Sequence, residues 1–433
     1  MKRVLMVTYF FPPLAGGGVY RSVKFVKYLS KVGWEPIVLT VGKGSFHWVH
    51  DRSLLREISE ETEIVRTRSF EPFLFNVILG KIGLGKLYNF MIPRLFIPDT
   101  KVGWIPISLV KGLSIIRKRG IDLIFSTSPP HSAHLIGYFL KRWTRTPWVA
   151  DFRDHWTLDP MYTPPSEWRY RFDEALERKI LEECDRVVVT TEGNRRDLLK
   201  VFQLPVEKVM TITNGYDAED FQESLSHSRK HDRFIITYTG TFYGTRSPEP
   251  FFRSLRLLVD QHPETRKLLE VRILGQMEDR FRKLVDELYL EDLVSISNFV
   301  PHSEALRTML TSDLLLLIIS SDQKNENVLT GKIFEYMAAE KPILALIPQG
   351  EASRLLTESG LGVITNPDDI EGIYKTLYHL LQKWQNGEVF SHPCREFIRQ
   401  FERKRLTEQL AHLFDDLLLE RERPRREVQN ERI

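Results

Sequence analysis

The chain has 433 residues, too many for one ordinary core and enough for two or three domains. With 42% hydrophobic and 27% charged residues, two cysteines and no run near the roughly 18 apolar residues of a spanning helix, it excludes fibrous, disordered, disulfide-stapled and transmembrane classes. The net charge of +3 hides an uneven spread: residues 1–120 hold 19 Lys/Arg against 8 Asp/Glu, a balance of +11, which leaves −8 for the remainder. An anionic ligand or surface is therefore expected near the first domain. Met1-Lys2-Arg3 followed by VLMV lacks a cleavage pattern, and Cys184 and Cys394 have no metal or redox spacing, so a cytoplasmic setting is expected.

Residues 3–8 (RVLMVT) read as a buried strand, and YFFPPLAGGG as the loop after it. A helix from about Val19 to Val32 follows, with Val19, Val23, Val26 and Leu29 at helical spacing; Gly33 stops it, and Glu35–Val41 is the second strand. This is the opening of a doubly wound sheet. Gly16, Gly17 and Gly18 let the backbone approach a ligand ahead of a helix N-terminus, or form only a tight turn. A dinucleotide site would need G-x-G-x-x-G and an acid ending the second strand. The third glycine is missing and that strand ends Leu-Thr-Val-Gly, so NAD binding is disfavoured.

Residues 70–118 alternate apolar and aromatic residues with Lys81, Lys86, Arg94, Lys101 and Lys111, and acids are almost absent. Such a basic amphipathic stretch either lies on an anionic membrane surface or turns its apolar side into a helical subdomain core. Asp122–Thr127 and Pro147–Asp151 read as strands, followed by SPPHSAHL and FRDHW. Loops at strand carboxyl ends are where open α/β sheets bind ligands. Here they gather His131, His134, Asp151, Arg153, Asp154, His155 and Trp156, which make either a catalytic cleft or local loop hydrogen bonds, with His134 facing the packing side. A charged helix near Glu167–Glu183 and strands at Arg186–Thr191 and Val209–Thr213 follow. Asn214-Gly215-Tyr216-Asp217 breaks the pattern, and the polar run Glu219–Asp232 reads as a linker.

The second half repeats the alternation, with strands expected at Phe234–Thr239, Glu270–Leu274, Leu293–Ser297, Leu314–Ile319, Pro342–Leu346 and Gly362–Thr365. Helices are expected at Pro248–Gln261, Asp279–Leu288 and Cys394–Glu420, and RERPRREVQNERI as a frayed charged tail. The stretch Asp322–Leu346 reads as a polar loop, a short helix capped by Thr330 and ended before Pro342, then a buried strand. Ile333, Phe334, Met337 and Ala338 share one side of that helix, with Lys332 and Glu335 roughly opposite. A carboxylate can accept both hydroxyls of a ribose, while a lysine and free N–H groups can hold a diphosphate. The alternative is an exposed i,i+3 ion pair.

The segment GKIFEYMAAEKPILA resembles the nucleotide-binding segment of GT-B glycosyltransferases, specifically the large retaining family 4. In that likeness Glu335 is the second Glu of an E-x7-E pair, and Asn327, beside Glu326, stands where the first would be. YFFPPLAGGG, PDTKVGW, STSPPHSAHL, WVADFRDHW, TNGYD and YTGTFYG match in the same order, similar to a bacterial branch that builds surface polysaccharides or glycolipids. The resemblance implies an α/β chain of two Rossmann-like doubly wound parallel-sheet domains facing across a cleft. The domains would be 1–215 on the acceptor side, 216–393 on the nucleotide-sugar side, and 394–433 as a helix returning to the first domain plus the tail.

It further implies that Glu335 holds the donor ribose, that Lys332 and the glycine loop of Gly16, Gly17 and Gly18 meet the diphosphate, and that Gly275 with Phe299, Val300 and His302 lies near the base. Where many members have a sugar-contacting His, this chain has Arg153-Asp154, so that role passes to Arg153 or His131, with Asp151 and Asp154 positioning sugar or acceptor. Where many have Gly-Arg after the first strand of the second domain, Gly240 is followed by Thr241, with Arg246 further on. No D-x-D and no zinc spacing occurs, so no metal and no separate cofactor is expected. The implied reaction is retaining transfer of a sugar from a nucleoside-diphosphate sugar to a saccharide or lipid-linked acceptor. Residues 70–118 would touch an anionic membrane from the cytoplasmic side, and no nucleic-acid partner is expected. A nucleotide-sugar epimerase, a phosphorylase or a catalytically silent scaffold of the same fold remain open.

Overall fold

The computed structural model describes residues 1–42, 50–72, 81, 85–159, 161–222, 232–242, 246–298, 300–320, 327 and 329–430. They fall into two compact units, Met1–Thr213 with Arg403–Ile433, and Asn214–Glu402.

The first unit carries a seven-stranded sheet of β1 (Lys2–Thr8), β2 (Trp34–Val41), β3 (Ile64–Thr67), β4 (Leu123–Ser128), β5 (Trp148–Phe152), β6 (Arg186–Val189) and β7 (Val209–Thr211). Its order is β3-β2-β1-β4-β5-β6-β7, and every pairing is parallel. Strands covered by helices on both faces read as unbroken apolar runs. Accordingly Val4, Leu5, Met6 and Val7 of β1 are all fully buried. The chain reverses direction of winding between β1 and β4, so the loops after these strands flank the crevice where such sheets bind ligands. Sequence periodicity missed β3, a four-residue edge strand that is mostly half-buried and set among charged residues.

The second unit repeats the plan with six strands: β8 (Phe234–Thr239), β9 (Leu269–Leu274), β10 (Val294–Ser297), β11 (Leu314–Ile318), β12 (Ile343–Leu346) and β13 (Gly362–Thr365). The order is β10-β9-β8-β11-β12-β13, again all parallel, with the switch point between β8 and β11. The boundary lies earlier than the polar run suggested. Tyr216 and Phe221 pack edge-to-face, with centroids 6.0 Å apart, in the same apolar cluster as Ile333, Phe334 and Met337. Residues from Asn214 therefore already belong to the second unit; 223–231 lie outside the described residues.

The C-terminal segment divides into the helices Arg395–Arg399 and Arg403–Asn430. The longer helix buries Leu406, Leu410, Phe414 and Leu417 in the first unit's core. Phe414 meets Trp34 and Phe125 at centroid distances of 5.1 and 5.7 Å. Asp415 accepts from Trp34 Nε1 at 2.9 Å and Lys2 Nζ at 2.7 Å. The expected frayed tail is helical to Asn430, in keeping with the helix propensity of Arg and Glu. Among the described residues, no helix is long and apolar enough to cross a membrane.

Candidate functional site

Two clusters of candidate residues stand at strand carboxyl ends, one in each unit. In the first unit β1 leads through its loop to Gly16, whose φ of 120° suits only glycine, and the helix Gly17–Leu29 begins there. Gly18 is tied to β5's loop: Arg153 donates from Nη1 to its carbonyl, and a Cβ at Gly18 would collide with that guanidinium. Arg153 also donates from Nε to Ser128 O at 2.7 Å and from Nη2 to Pro129 O at 2.8 Å. One buried guanidinium thus holds the glycine loop and the SPP loop together, and burial lowers its pKa.

Asp151 is 0% exposed. Its Oδ1 accepts from Arg21 Nη2 at 2.9 Å, and its Oδ2 accepts from Arg21 Nε at 3.2 Å and Thr127 Oγ1 at 2.7 Å. Arg21 also donates to the carbonyls of Ile212 and Thr213. The expectation that Asp151 positions sugar or acceptor directly is therefore corrected: a carboxylate enclosed on all sides orients Arg21 and the backbone around it. Arg153 likewise acts on loops, since its bonds to Ser128, Gly18 and Pro129 all go to backbone carbonyls.

His131, like His134 at Nε2 and Ser128 at Oγ, keeps a buried polar atom without a partner. Its ring stacks on Trp156 with centroids 4.4 Å apart and planes 6° apart, and its Nδ1 has no hydrogen-bond partner. Burial, with His134 and Arg153 nearby, holds it well below the usual imidazole range, so it is neutral at pH 7. His134 is a packing residue: Nδ1 meets Ser126 Oγ at 2.8 Å, the ring lies 4.3 Å from Phe152, and burial brings its pKa down to about 3. Asp154 is exposed. His155 Nε2 faces Asp197 Oδ2 at 3.4 Å.

The PDTKVGW segment acts through Asp99, whose oxygens accept from Ser132 N at 2.9 Å and Ser132 Oγ at 2.8 Å. Asp99 so caps the helix Ser132–Thr144 from a distant part of the chain. Asp99 lies in the PDTKVGW stretch that carries part of the resemblance, but its capping role has no local signal, and Arg21 stands in no such stretch. Only a basic residue among the apolar positions of the first helix hinted at Arg21.

The second unit's cluster is built on the turns after β8 and β9. Gly240 and Gly275 have φ values of 128° and 143°, and a Cβ on Gly275 would strike the Gly240 carbonyl. A Cβ on Gly240 would strike Lys332 Nζ. Lys332 donates to Thr239 O at 2.5 Å and stands 4.1 Å from the Tyr238 ring centroid. Burial, aided by the charge of Arg246 and opposed by that of Glu335, lowers its pKa to about 7.

One turn on, Tyr336 OH accepts Thr239 N at 2.9 Å, so the helix Gly331–Ala338 grips the end of β8 twice. Burial raises the Tyr336 hydroxyl to about 12. Glu335 Oε1 lies 3.0 Å from His302 Nε2. Ile333, Phe334 and Met337 are 0% exposed, as their spacing indicated, while Lys332 and Glu335 are part-buried. Thr330 sits at the N-cap position but makes no capping bond, and its Oγ1 is buried without a partner. Thr241 and Val300 are half-buried in the turns after β8 and β10. Phe299 and residues 321–326 and 328 lie outside the described residues, and of Gly17 only the backbone is described.

Residues 93–215 match the family model described as "Glycosyl transferase 4-like domain". The chain has the GT-B fold, and its residues 93–215 are similar to the family 4 transferases. It is 24% identical over 204 residues to D-inositol 3-phosphate glycosyltransferase of Kineococcus radiotolerans, covering 44% of this chain and 45% of that one. It is 28% identical over 188 residues to GDP-mannose:cellobiosyl-diphosphopolyprenol alpha-mannosyltransferase of Xanthomonas oryzae pv. oryzae, covering 43% and 46%. The matches thus span about half the length of these curated relatives. The crystal structure of Anabaena HepE in complex with UDP and glucose superposes with a TM-score of 0.65 at 15% identity, covering 96% of this chain and 100% of that one. At that identity the likeness concerns the fold. The family model falls on the first unit, where Asp99, His131, Asp151 and Arg153 stand.

Truncating Asp151 strands the buried Arg21 charge, and breaking a buried pair in this way costs about 3–5 kcal/mol. Urea denaturation of Asp151→Ala is expected to show a loss of that order. A loss below about 1 kcal/mol, the scale of an exposed pair, would contradict the structural role.

Proposed function

We propose that this GT-B protein transfers a sugar, with retention, from a nucleoside-diphosphate sugar to a hydroxyl of a saccharide or lipid-linked acceptor, in the synthesis of surface polysaccharide or glycolipid. The observation that carries this reading is the placement of Lys332 against the Gly240 turn with Glu335 three residues further along the same helix. The glycine turn admits a diphosphate close to backbone N–H groups. Lys332 and Arg246 supply positive charge, and the unpartnered Thr330 hydroxyl and the helix N-terminus supply further donors. Glu335 takes the ribose hydroxyls. The similarity to a GDP-mannose:cellobiosyl-diphosphopolyprenol alpha-mannosyltransferase and to HepE in complex with UDP and glucose supports a nucleotide-sugar donor and a saccharide or lipid-linked acceptor.

As the glycosidic bond breaks, negative charge grows on the departing diphosphate. Groups aimed at that charge stabilise the transition state more than the ground state, so the reading assigns the main catalytic effect to Lys332 and the N–H groups, with no metal invoked. Neutral His131, flat against Trp156, is assigned to a sugar hydroxyl, because an imidazole can accept at one nitrogen while donating at the other. Exposed Asp154 is assigned to the acceptor side. No enzymic nucleophile is invoked; the acceptor attacks from the face the leaving group departs.

The reading also places the protein on the cytoplasmic face of a membrane. The helix Gly85–Leu95 exposes Phe90, Met91 and Leu95, with Lys81 and Lys86 also exposed and Arg94 resting 3.8 Å over Phe90. Arg94 Nη2 donates to Pro165 O at 3.1 Å, which brings this helix beside the chain leading to exposed Trp168 and Phe172. Aromatic bodies with cations among them suit an anionic headgroup layer.

Because Lys332 has its pKa near 7 and must be charged to hold a diphosphate, a bound nucleotide sugar raises that pKa, and affinity falls as pH rises above about 7. Calorimetry with UDP-, GDP- and ADP-sugars is expected to find one of them bound about tenfold more weakly at pH 8.5 than at pH 6.5. Lys332→Ala flattens that dependence and Glu335→Ala weakens binding; normal affinity in Glu335→Ala would remove the ribose assignment. For the membrane contact, flotation with phosphatidylglycerol-containing vesicles is expected to carry the protein upward, and Phe90→Glu with Leu95→Glu to abolish it. Absence of binding to anionic vesicles would remove the idea.

A further inference from the structure

The helix His302–Leu310 begins after β10, and the helix Gly331–Ala338 begins after β11. In the sheet these strands are separated by β9 and β8, the two strands whose ends carry Gly275 and Gly240. The first residue of one helix and the fifth of the other nevertheless meet, His302 Nε2 lying 3.0 Å from Glu335 Oε1 with side-chain exposures of 21% and 25%. An ionised carboxylate only accepts hydrogen bonds, so Nε2 carries the proton and donates. Lys332, three residues before Glu335, touches Gly240 from the same helix, so the bond belongs to the neighbourhood of the two glycine turns.

We propose that His302 is a positioning residue for Glu335: it fixes one oxygen of the carboxylate so that the pair of oxygens faces a ribose diol in a single rotamer. This rests on the reading of Glu335 as the ribose ligand. A glutamate has three rotatable torsions, and ordering them on binding weakens affinity unless the free protein has ordered them already. A carboxylate offers about four lone-pair sites, so Oε1 can keep its bond to His302 and still accept one hydroxyl while Oε2 takes the other. The second partner thus works as the outer partners of metal ligands do, by holding the group that makes the contact.

The prediction is a loss of affinity that exists only while both Glu335 and the diol are present. The binding constants of UDP, GDP and ADP would be measured by calorimetry on the full chain, and the tightest ligand carried forward with its 2′,3′-dideoxy analogue. His302→Ala is expected to weaken the ribonucleotide about five- to twentyfold, and by less than about twofold in a Glu335→Ala background or with the dideoxy analogue. His302→Gln, whose amide nitrogen can donate to the same oxygen, is expected to restore affinity to within about threefold and serves as the folded comparison. An equal loss in the Glu335→Ala background would mean that His302 touches the nucleotide itself and would overturn the inference, as would an unchanged affinity in His302→Ala. If Glu335→Ala alone binds normally, the ribose reading fails. If Glu335→Ala weakens binding and His302→Ala does not, only the role of His302 fails.

Discussion

An ammonium group lodged where a side chain would otherwise sit fixes the form of the second unit. Lys332 Nζ occupies the space of a Cβ at Gly240, donates to the last carbonyl of β8, and lies over the Tyr238 ring. Each of those contacts removes water from the cation, and its lowered pKa records the cost. A desolvated cation against a backbone turn is poorly solvated alone and well solvated by an anion, which is why the turn after β8 reads as a place for a diphosphate. Gly275 is constrained in series, because any side chain there would meet the Gly240 carbonyl. The Tyr336 hydroxyl then fastens Thr239 to the helix that carries Lys332 and Glu335, so strand end and helix form one rigid piece.

The first unit solves a different problem, holding three polar loops still at the ends of β1, β4 and β5. It does so with two buried guanidinium groups. Arg153 spans the glycine loop and the SPP loop through backbone carbonyls, and Arg21 joins Asp151 to the end of β7. Both charges are buried; Arg21 is paired with the Asp151 carboxylate, while Arg153 bonds to backbone carbonyls and is favoured at longer range by the charges of Asp154 and Asp151. Such frameworks contribute geometry more than net stability. Against them His131 keeps a neutral ring with one unpartnered nitrogen, suited to a hydroxyl more than to a phosphate.

Much of the architecture was legible because its signals are periodic. Unbroken runs such as VLMV and LLLLI mark strands buried on both faces, and Ile333, Phe334 and Met337 mark a helix by their spacing. The edge strand Ile64–Thr67 was not legible, since a half-buried four-residue strand with a charged residue in it carries no such run. The site was legible as a set of residue types but not as roles. Asp151 and Arg153 look the same in sequence whether they face a ligand or a backbone carbonyl, and only their burial and partners decide. Thr330 stands at the position of a helix cap, yet its hydroxyl makes no capping bond. His302 and Glu335 are 33 positions apart, and their pairing follows from the crossover between β10 and β11, which no local pattern contains.

The central claim is that the second unit binds the donor through the ends of β8 and β9 and the helix Gly331–Ala338. Amide hydrogen exchange with and without a nucleoside-diphosphate sugar tests it most directly, because protection reports which backbone becomes less open on binding. The account predicts slowed exchange at Gly240–Thr241, at Gly275 and across the first turns of Gly331–Ala338. Protection confined to the first unit, or a bound donor that leaves these three segments unchanged, would contradict it.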